Sequence, residues 1–171
     1  MRFGHIALAL LLTVPCMAQP VKTVAEPAGV LSVTEIQRLM PPSVFFQGQT
    51  ATTQLRNSFG VRFANGGLLL AGMVDTGGYS TSIRDRYQFY LLSDTSFEVD
   101  GKKLSPGAYG CGFVKDGFLV MDLGGNELRS TPVTHDEAMT RPRPLQIQAG
   151  KSPDEFRLYL GRDFITIHQS R

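Results

Sequence analysis

The spacing of the apolar residues predicts β-strands along most of the chain. Short runs of alternating apolar and polar residues are separated by glycine-rich turns, and antiparallel strands joined by tight turns produce this pattern. The run at 68–74 contains no polar side chain, so we expect that strand to be buried on both faces. The predicted strands cover residues 61–63, 68–74, 87–92, 97–99, 103–104, 108–114, 118–123, 145–149, 156–160 and 164–167.

Two short helices are expected beside these strands. Ser32 and Glu35 have the spacing of a capping box, in which each side chain binds the backbone N–H of the other residue. Thr134 and Glu137 have the same spacing and predict a second helical piece over residues 134–139. The fold class that these patterns predict is all-β, an antiparallel β-sandwich or barrel with one or two short helices.

The first eighteen residues have the composition of a secretory signal peptide. A single arginine precedes an apolar run at residues 6–14, and Ala18 supplies the small residue that a signal peptidase requires. The run is too short for a membrane anchor, which needs about 20 apolar residues. We therefore expect residues 1–18 to be a signal peptide, residues 19–31 a flexible leader and residues 32–171 a single all-β domain. The expected location is periplasmic or extracellular.

Composition and charge narrow the range of partners. The chain carries 17 basic and 15 acidic residues with the two signs interspersed. Without a basic patch, nucleic acid is not an expected partner. No other apolar run approaches the length of a membrane span. A protein, a peptide or a glycan is the expected partner, and the sequence leaves the oligomeric state open.

Cysteine and histidine usage predicts neither a disulfide nor a metal site. Loss of the signal peptide removes Cys16 and leaves Cys111, which lies between two glycines in a predicted strand. A lone cysteine without a neighbouring base is expected to be an inert, buried thiol. His135 and His168 are far apart in the sequence, and no cluster has the spacing of metal ligands. No cofactor or metal is therefore expected.

The motif Asp75-Thr76-Gly77 directly follows the predicted strand at 68–74. An apolar strand that ends in this motif resembles the catalytic loop of retropepsin-like aspartic proteases, and residues 159–163 are similar to a segment that precedes a short helix in that family. The resemblance implies that Asp75 is the catalytic carboxylate, Thr76 the hydroxyl that ties two loops together and Gly77 the point of close backbone approach. A chain with one motif would act as a homodimer, because the chemistry needs two carboxylates that share a proton.

The same motif also has a purely structural interpretation. Asp, Thr and Gly all favour tight turns, and a buried strand has to end in a turn. After the motif, Gly78 and the bulky Tyr79 depart from the protease pattern, which continues with alanine or serine. Residues 164–168 alternate as a strand where the protease fold has a helix.

A second resemblance covers residues 97–113, FEVDGKKLSPGAYGCGF. Two strands joined by an acidic-glycine turn and a Pro-Gly turn resemble an element of small exported bacterial β-domains of unknown function. The resemblance implies that Pro106 and Gly107 form a turn and that Tyr109 is a core or corner residue. It implies a fold and no activity.

The segment after the Asp-Thr-Gly motif is rich in polar and aromatic side chains. These residues have two interpretations, the rim of a peptide or carbohydrate site or the polar face of a half-buried strand. They are Tyr79, Arg84, Arg86, Tyr87 and Tyr90.

The function predicted from the sequence is a binding or assembly module without catalysis of its own. The alternatives are a homodimeric retropepsin-like protease that uses Asp75 and a carrier of apolar ligands. The carrier needs a hollow barrel. A closed sandwich would leave no internal site, and the residues expected to fill it are Phe45, Leu69, Phe89, Phe113 and Phe118.

Overall fold

Strands make up most of residues 26–170, the part of the chain that the computed structural model describes. The predicted signal peptide and much of the predicted leader lie outside these residues. None of the helices in this part of the chain is long and apolar enough to cross a membrane. In chain order the elements are β1 (Gly29–Val30), α1 (Val33–Leu39), β2 (Ser43–Phe46), β3 (Gln49–Arg62), β4 (Leu68–Val74), α2 (Thr81–Arg84), β5 (Phe89–Ser93), β6 (Phe97–Val99), β7 (Lys102–Leu104), β8 (Gly107–Val114), β9 (Gly117–Met121), β10 (Glu127–Thr131), β11 (Thr134–His135), β12 (Arg143–Ala149), β13 (Glu155–Gly161) and β14 (Asp163–Gln169).

The strands form two antiparallel sheets that share one core. Sheet I has the order β1-β3-β4-β5-β8-β9-β10, with β2 paired to the first part of β3. Sheet II has the order β12-β13-β14-β6-β7, with β11 paired to the start of β14. The architecture is therefore the all-β, sandwich-like fold that the sequence predicted. The last strand in the sequence, β14, lies in the middle of sheet II.

Side chains from both sheets fill the space between them. Phe89 stacks on Phe118 with ring centroids 5.9 Å apart. This packing favours a closed sandwich over a hollow barrel. Phe45, one of the residues expected to fill the interior, is instead 52% exposed on β2. The core residues include Val61, Leu69, Ala71, Phe89, Cys111 and Phe118 from sheet I, and Phe97, Leu145, Phe156, Leu158, Ile165 and Ile167 from sheet II.

Sheet I is buried on its outer face as well. Leu69 and Ala71 of β4 point into the core between the sheets, whereas Leu70 and Val74 pack on the opposite side. Helix α1 and the β2–β3 hairpin cover that outer side. The prediction that residues 68–74 form a strand buried on both faces is confirmed.

Three tyrosines hold the β2–β3 hairpin on the outer face of sheet I. Tyr79 donates a hydrogen bond to the Phe46 carbonyl (3.0 Å), and Tyr90 donates one to the Phe45 carbonyl (3.3 Å). Tyr87 stacks on Phe46 with ring centroids 4.0 Å apart. Burial raises the pKa of Tyr87 far above its ordinary value. These tyrosines are therefore core residues and not the rim of a site.

Helix α1 begins at the predicted capping box. The Glu35 N–H donates to Ser32 Oγ (3.3 Å), and the Ser32 N–H donates to Glu35 Oε2 (2.8 Å). The Ser32 hydroxyl also donates to Glu35 Oε2 (2.7 Å). The two hydrogen bonds that the Glu35 carboxylate accepts from the Ser32 hydroxyl and N–H, with a smaller contribution from Arg62, lower the pKa of Glu35 to about 2. Ile36 is buried where α1 crosses β3, and a Cβ at Gly60 would lie 3.0 Å from Ile36 Cδ1. The glycine therefore lets the helix approach the sheet.

The folded domain begins earlier than residue 32. Gly29 and Val30, placed in the flexible leader by the sequence analysis, form β1 and pair with Arg62 and Val61 of β3. The sequence did not reveal β1 because a strand of two residues is too short to show an apolar periodicity.

The second predicted helix, over residues 134–139, is wrong. Thr134 and His135 form β11 and pair with Phe164 and Asp163 of β14. The second helix of the described chain is α2, which follows the Asp-Thr-Gly motif. Pairing with a strand that is distant in sequence overrides the local capping-box spacing.

Gly110 of β8 lies directly beneath the β2–β3 hairpin. A Cβ at this position would overlap the ring of Phe46, which is fully buried. We expect Gly110→Ala to lower the free energy of unfolding, measured by urea denaturation, by about 1–3 kcal/mol, because overpacking forces neighbours apart. Gly78→Ala is the control, since a Cβ there meets its nearest neighbour at 3.4 Å. Equal effects of the two substitutions would contradict this close contact.

The lowered pKa of Glu35 makes part of the stability depend on pH. An acid whose pKa falls on folding stabilises the folded state above its unfolded-state pKa, and this stabilisation is lost as the pH falls through the folded-state value. We expect the stability advantage of the wild type over Glu35→Gln to shrink as the pH is lowered from 4.5 to about 2. Urea denaturation of both proteins across this range measures it. An advantage that stays constant would contradict the capping-box geometry.

Candidate functional site

The Asp-Thr-Gly motif forms an exposed turn at the end of β4. The Asp75 N–H donates to the Thr52 carbonyl (2.9 Å), and Asp75 Oδ1 accepts a hydrogen bond from the Gly77 N–H (3.0 Å). An aspartate that binds the backbone two residues further on closes an Asx-turn. The Tyr79 N–H donates to the Thr76 carbonyl (3.0 Å), and the Tyr79 ring enters the outer-face core. The geometry therefore gives all three motif residues a structural role in this chain.

The second segment that resembles the protease family also lies in a turn. Gly161, with φ of +64°, ends β13 directly before the turn into β14. Residues 163–169 then continue as a strand and pair with both β13 and β6. A central strand of sheet II therefore occupies the place of the short helix that the resemblance implies.

The other reactive side chains of the sequence are separated from one another. Cys111 is completely buried in the core between the sheets, and burial raises the pKa of its thiol. His135 lies on β11, with its Nδ1 2.6 Å from Asp163 Oδ1, and His168 lies near the end of β14. Within residues 26–170, no group of three or more His, Cys, Asp or Glu side chains is arranged to hold a metal ion.

A groove at one edge of the sandwich gathers exposed apolar surface. This edge groove lies between α1, β3 and β12 and has a volume of about 310 Å³. Six large apolar side chains are exposed among the described residues, and Val30, Val33 and Leu55 line this groove. A concentration of exposed apolar surface in one concave place is typical of a binding site. Further apolar lining comes from Ile36, Phe59 and Ile147, and polar lining from Gln37, Arg56, Ser58, Arg143 and Gln146.

A bulge in β3 forms one wall of the edge groove. Thr53 pairs with Val74 and Ser58 pairs with Gly72, so residues 54–57 lie outside the regular ladder. The Ser58 hydroxyl donates a hydrogen bond to the carbonyl of residue 54 (2.9 Å) and closes the bulge. A Cβ at Gly72 would lie 2.8 Å from that hydroxyl, so the bulge packs directly on β4.

The opposite wall comes from β12, which contains a bulge of its own. Its pairing with β13 shifts register between Arg143 and Gln146, around Pro144. Proline is tolerated at the edge of a sheet because it has no N–H to donate, and β12 is an edge strand of sheet II. Bulges redirect side chains. Leu55 and Arg56 on one wall and Arg143 on the other therefore reach the groove from irregular positions.

The edge groove is positively charged. None of the side chains that line it is acidic. Arg56 and Arg143 have no ion-pair partner within residues 26–170, whereas Arg62 of β3 binds two glutamates. The two lining arginines are therefore available to an anionic ligand.

Sequence reasoning did not find the edge groove. Leu55 and Arg56 lie in a polar stretch before the first predicted strand, and Arg143 lies in a proline-rich segment far away in the sequence. The one local signal is Val33. It precedes Ile36 by one helical turn and so shares its face of α1, yet it is 73% exposed.

Comparison of the chain with family models, with curated proteins and with solved structures gives no match. The fold and the edge groove together define an all-β sandwich with an apolar, basic groove at its edge.

A conservative substitution tests the role of Asp75. Asparagine also accepts the Gly77 N–H bond of an Asx-turn. We expect Asp75→Asn to change the free energy of unfolding by less than about 0.5 kcal/mol. We also expect no pepstatin-sensitive cleavage of a fluorogenic peptide library by either protein at acidic or neutral pH. Pepstatin-sensitive cleavage that is present in the wild type and abolished in Asp75→Asn would establish the aspartic protease instead.

Proposed function

We propose that this protein is a binding module without catalysis of its own, and that the edge groove holds an apolar segment of a partner protein. The observation that carries the proposal is the convergence of Val30, Val33 and Leu55 on one groove. Burial of apolar surface is the main driving force of protein association. Because residues 1–18 are predicted to be a signal peptide, we expect the partner to be outside the cytoplasm.

The exposure of the groove rim favours a protein over a small ligand. Val33 is 73% exposed and Leu55 is 41% exposed. A small molecule confined to about 310 Å³ would leave the outward parts of these side chains in water. A protein surface that extends past the rim would cover them, as the apolar centre of an interface is covered.

The packing of the interior supports the same choice. Core side chains already occupy the space between the sheets, including Phe89, Phe118 and Phe156. A carrier of apolar ligands would need that space. The interior therefore has no room for such a ligand, whereas the edge groove is open to a partner.

Selection of peptides tests the proposal. The purified protein is used to select binders from a library of random displayed peptides, and isothermal titration calorimetry then gives their dissociation constants. We expect Leu55→Asp to weaken the selected peptides at least tenfold, about 1.4 kcal/mol, because a carboxylate would be buried in an apolar contact. Val33→Asp should have the same effect without harming α1, since an acidic residue is favourable in the first turn of a helix.

Leu123→Asp is the matched control for these two variants. Leu123 is 40% exposed, almost the same as Leu55, but it lies beyond β9 and outside the groove. The selected peptides should bind this variant as tightly as the wild type. A selection that returns no binder, or binders that tolerate both Leu55→Asp and Val33→Asp, would contradict the proposal.

A further inference from the structure

We propose that the partner segment held by the edge groove is acidic, with side-chain carboxylates on both sides of its apolar residues. This inference rests on the proposed function and names the chemistry of the partner. The observation behind it is the charge of the groove. Arg56 and Arg143 are its only charged lining residues, and neither has an ion-pair partner within residues 26–170.

Arginine is suited to this role because of its charge and shape. The guanidinium group stays protonated at every physiological pH and offers five donors that match a carboxylate in two-pronged geometry. The other polar lining residues, Gln37, Gln146 and Ser58, are neutral. No lining group therefore opposes an approaching carboxylate.

The apolar lining strengthens the preference of the two arginines for an acidic segment over a neutral or basic one. A bound segment displaces water from Leu55 and Val33, and the charges that share the groove with them then interact in a lower dielectric. A neutral segment would remove water from the guanidinium groups without supplying a partner, which is unfavourable. A basic segment would in addition be repelled.

The placement of the two arginines favours internal acidic residues over a chain terminus. Arg56 lies on β3 of sheet I and Arg143 on β12 of sheet II, so they belong to opposite walls. A terminal carboxylate brings one negative charge for the two guanidinium groups. Two acidic side chains that flank an apolar anchor supply one carboxylate to each wall.

Contacts within the chain hold the wall that carries Arg56 in place. The Ser58 hydroxyl closes the bulge, and the close packing on Gly72 fixes its position on β4. A preformed wall lowers the loss of conformational freedom on binding. We therefore expect an acidic segment to bind without a rearrangement of this wall.

Synthetic peptides test this chemistry directly. The probes keep the apolar residues of a selected binder and carry, on both flanks, glutamate, glutamine or lysine; each is made with a free and with an amidated C-terminus. We expect the glutamate peptides to bind at least tenfold more tightly than the glutamine peptides and the lysine peptides to bind most weakly. Amidation should change the affinity little. Added salt should weaken only the glutamate peptides, because salt screens charge pairs.

Three variants of the protein assign the preference to residues. Arg56→Gln and Arg143→Gln should each reduce the ratio of glutamate to glutamine affinity about tenfold. The glutamine peptides should bind these variants at least as tightly as the wild type, because they no longer displace water from a guanidinium group without supplying a partner. Arg38→Gln is the matched control, because Arg38 is an exposed cation of α1 that does not line the groove. It should keep the full preference.

The outcomes separate this inference from the proposed function. Glutamine peptides that bind as tightly as glutamate peptides overturn the inference and leave the proposed function standing, whereas failure of every peptide to bind contradicts the proposed function itself. Binding that requires a free C-terminus overturns the inference in favour of terminus recognition. Tighter binding of a fatty acid that displaces the peptides, or self-association of the wild type that Leu55→Asp abolishes, assigns the groove to an amphiphile or to a second copy and also overturns it.

Discussion

The apolar character of β4 on both of its faces is the constraint on which the rest of the structure depends. A strand with Leu69 on one side and Leu70 on the other needs cover on both sides. Sheet II covers the inner face, and α1 with the β2–β3 hairpin covers the outer face. Each outer cover approaches the sheet at a glycine, Gly60 under α1 and Gly110 under Phe46. The fold is therefore a sandwich with a partial third layer.

The edge groove exists because the two covers end at the same margin of sheet I. Helix α1 belongs to the outer layer and β12 to sheet II, and both line the groove beside β3. The bulge at residues 54–57 interrupts the ladder at this margin and turns Leu55 outwards. Val33 and Leu55 lie where the layers end, so no further layer of the fold covers them. The candidate site therefore lies where the layers end, whereas the exposed Asp75 turn has a structural role and leads the chain to Tyr79, whose ring is buried.

The parts of the fold that obey local rules could be predicted from the sequence. Alternation and glycine turns revealed strands such as the one at residues 108–114, and the capping box revealed α1. The first part of β3 is polar and escaped detection, and β11 was mistaken for a helix because its partner strand is distant in sequence. The groove could not be predicted because it also depends on strands that are distant in sequence. Arg56 and Arg143 line the groove at register shifts in β3 and β12, and the register of a strand is decided by tertiary packing.

The central position of β14 has a consequence for the order in which the chain can fold. This strand pairs with β13 on one side and with β6 on the other, and it is also the strand to which β11 pairs. Until residues 163–169 are in place, the β12–β13 and β6–β7 pairs are therefore not joined into one sheet. Pairing over such long stretches of chain is slow, because the loop must close before any contact is gained. During synthesis β14 is made after every other described strand. Assembly of the complete sheet II therefore follows synthesis of β14, and the inner face of sheet I lacks its full cover until then.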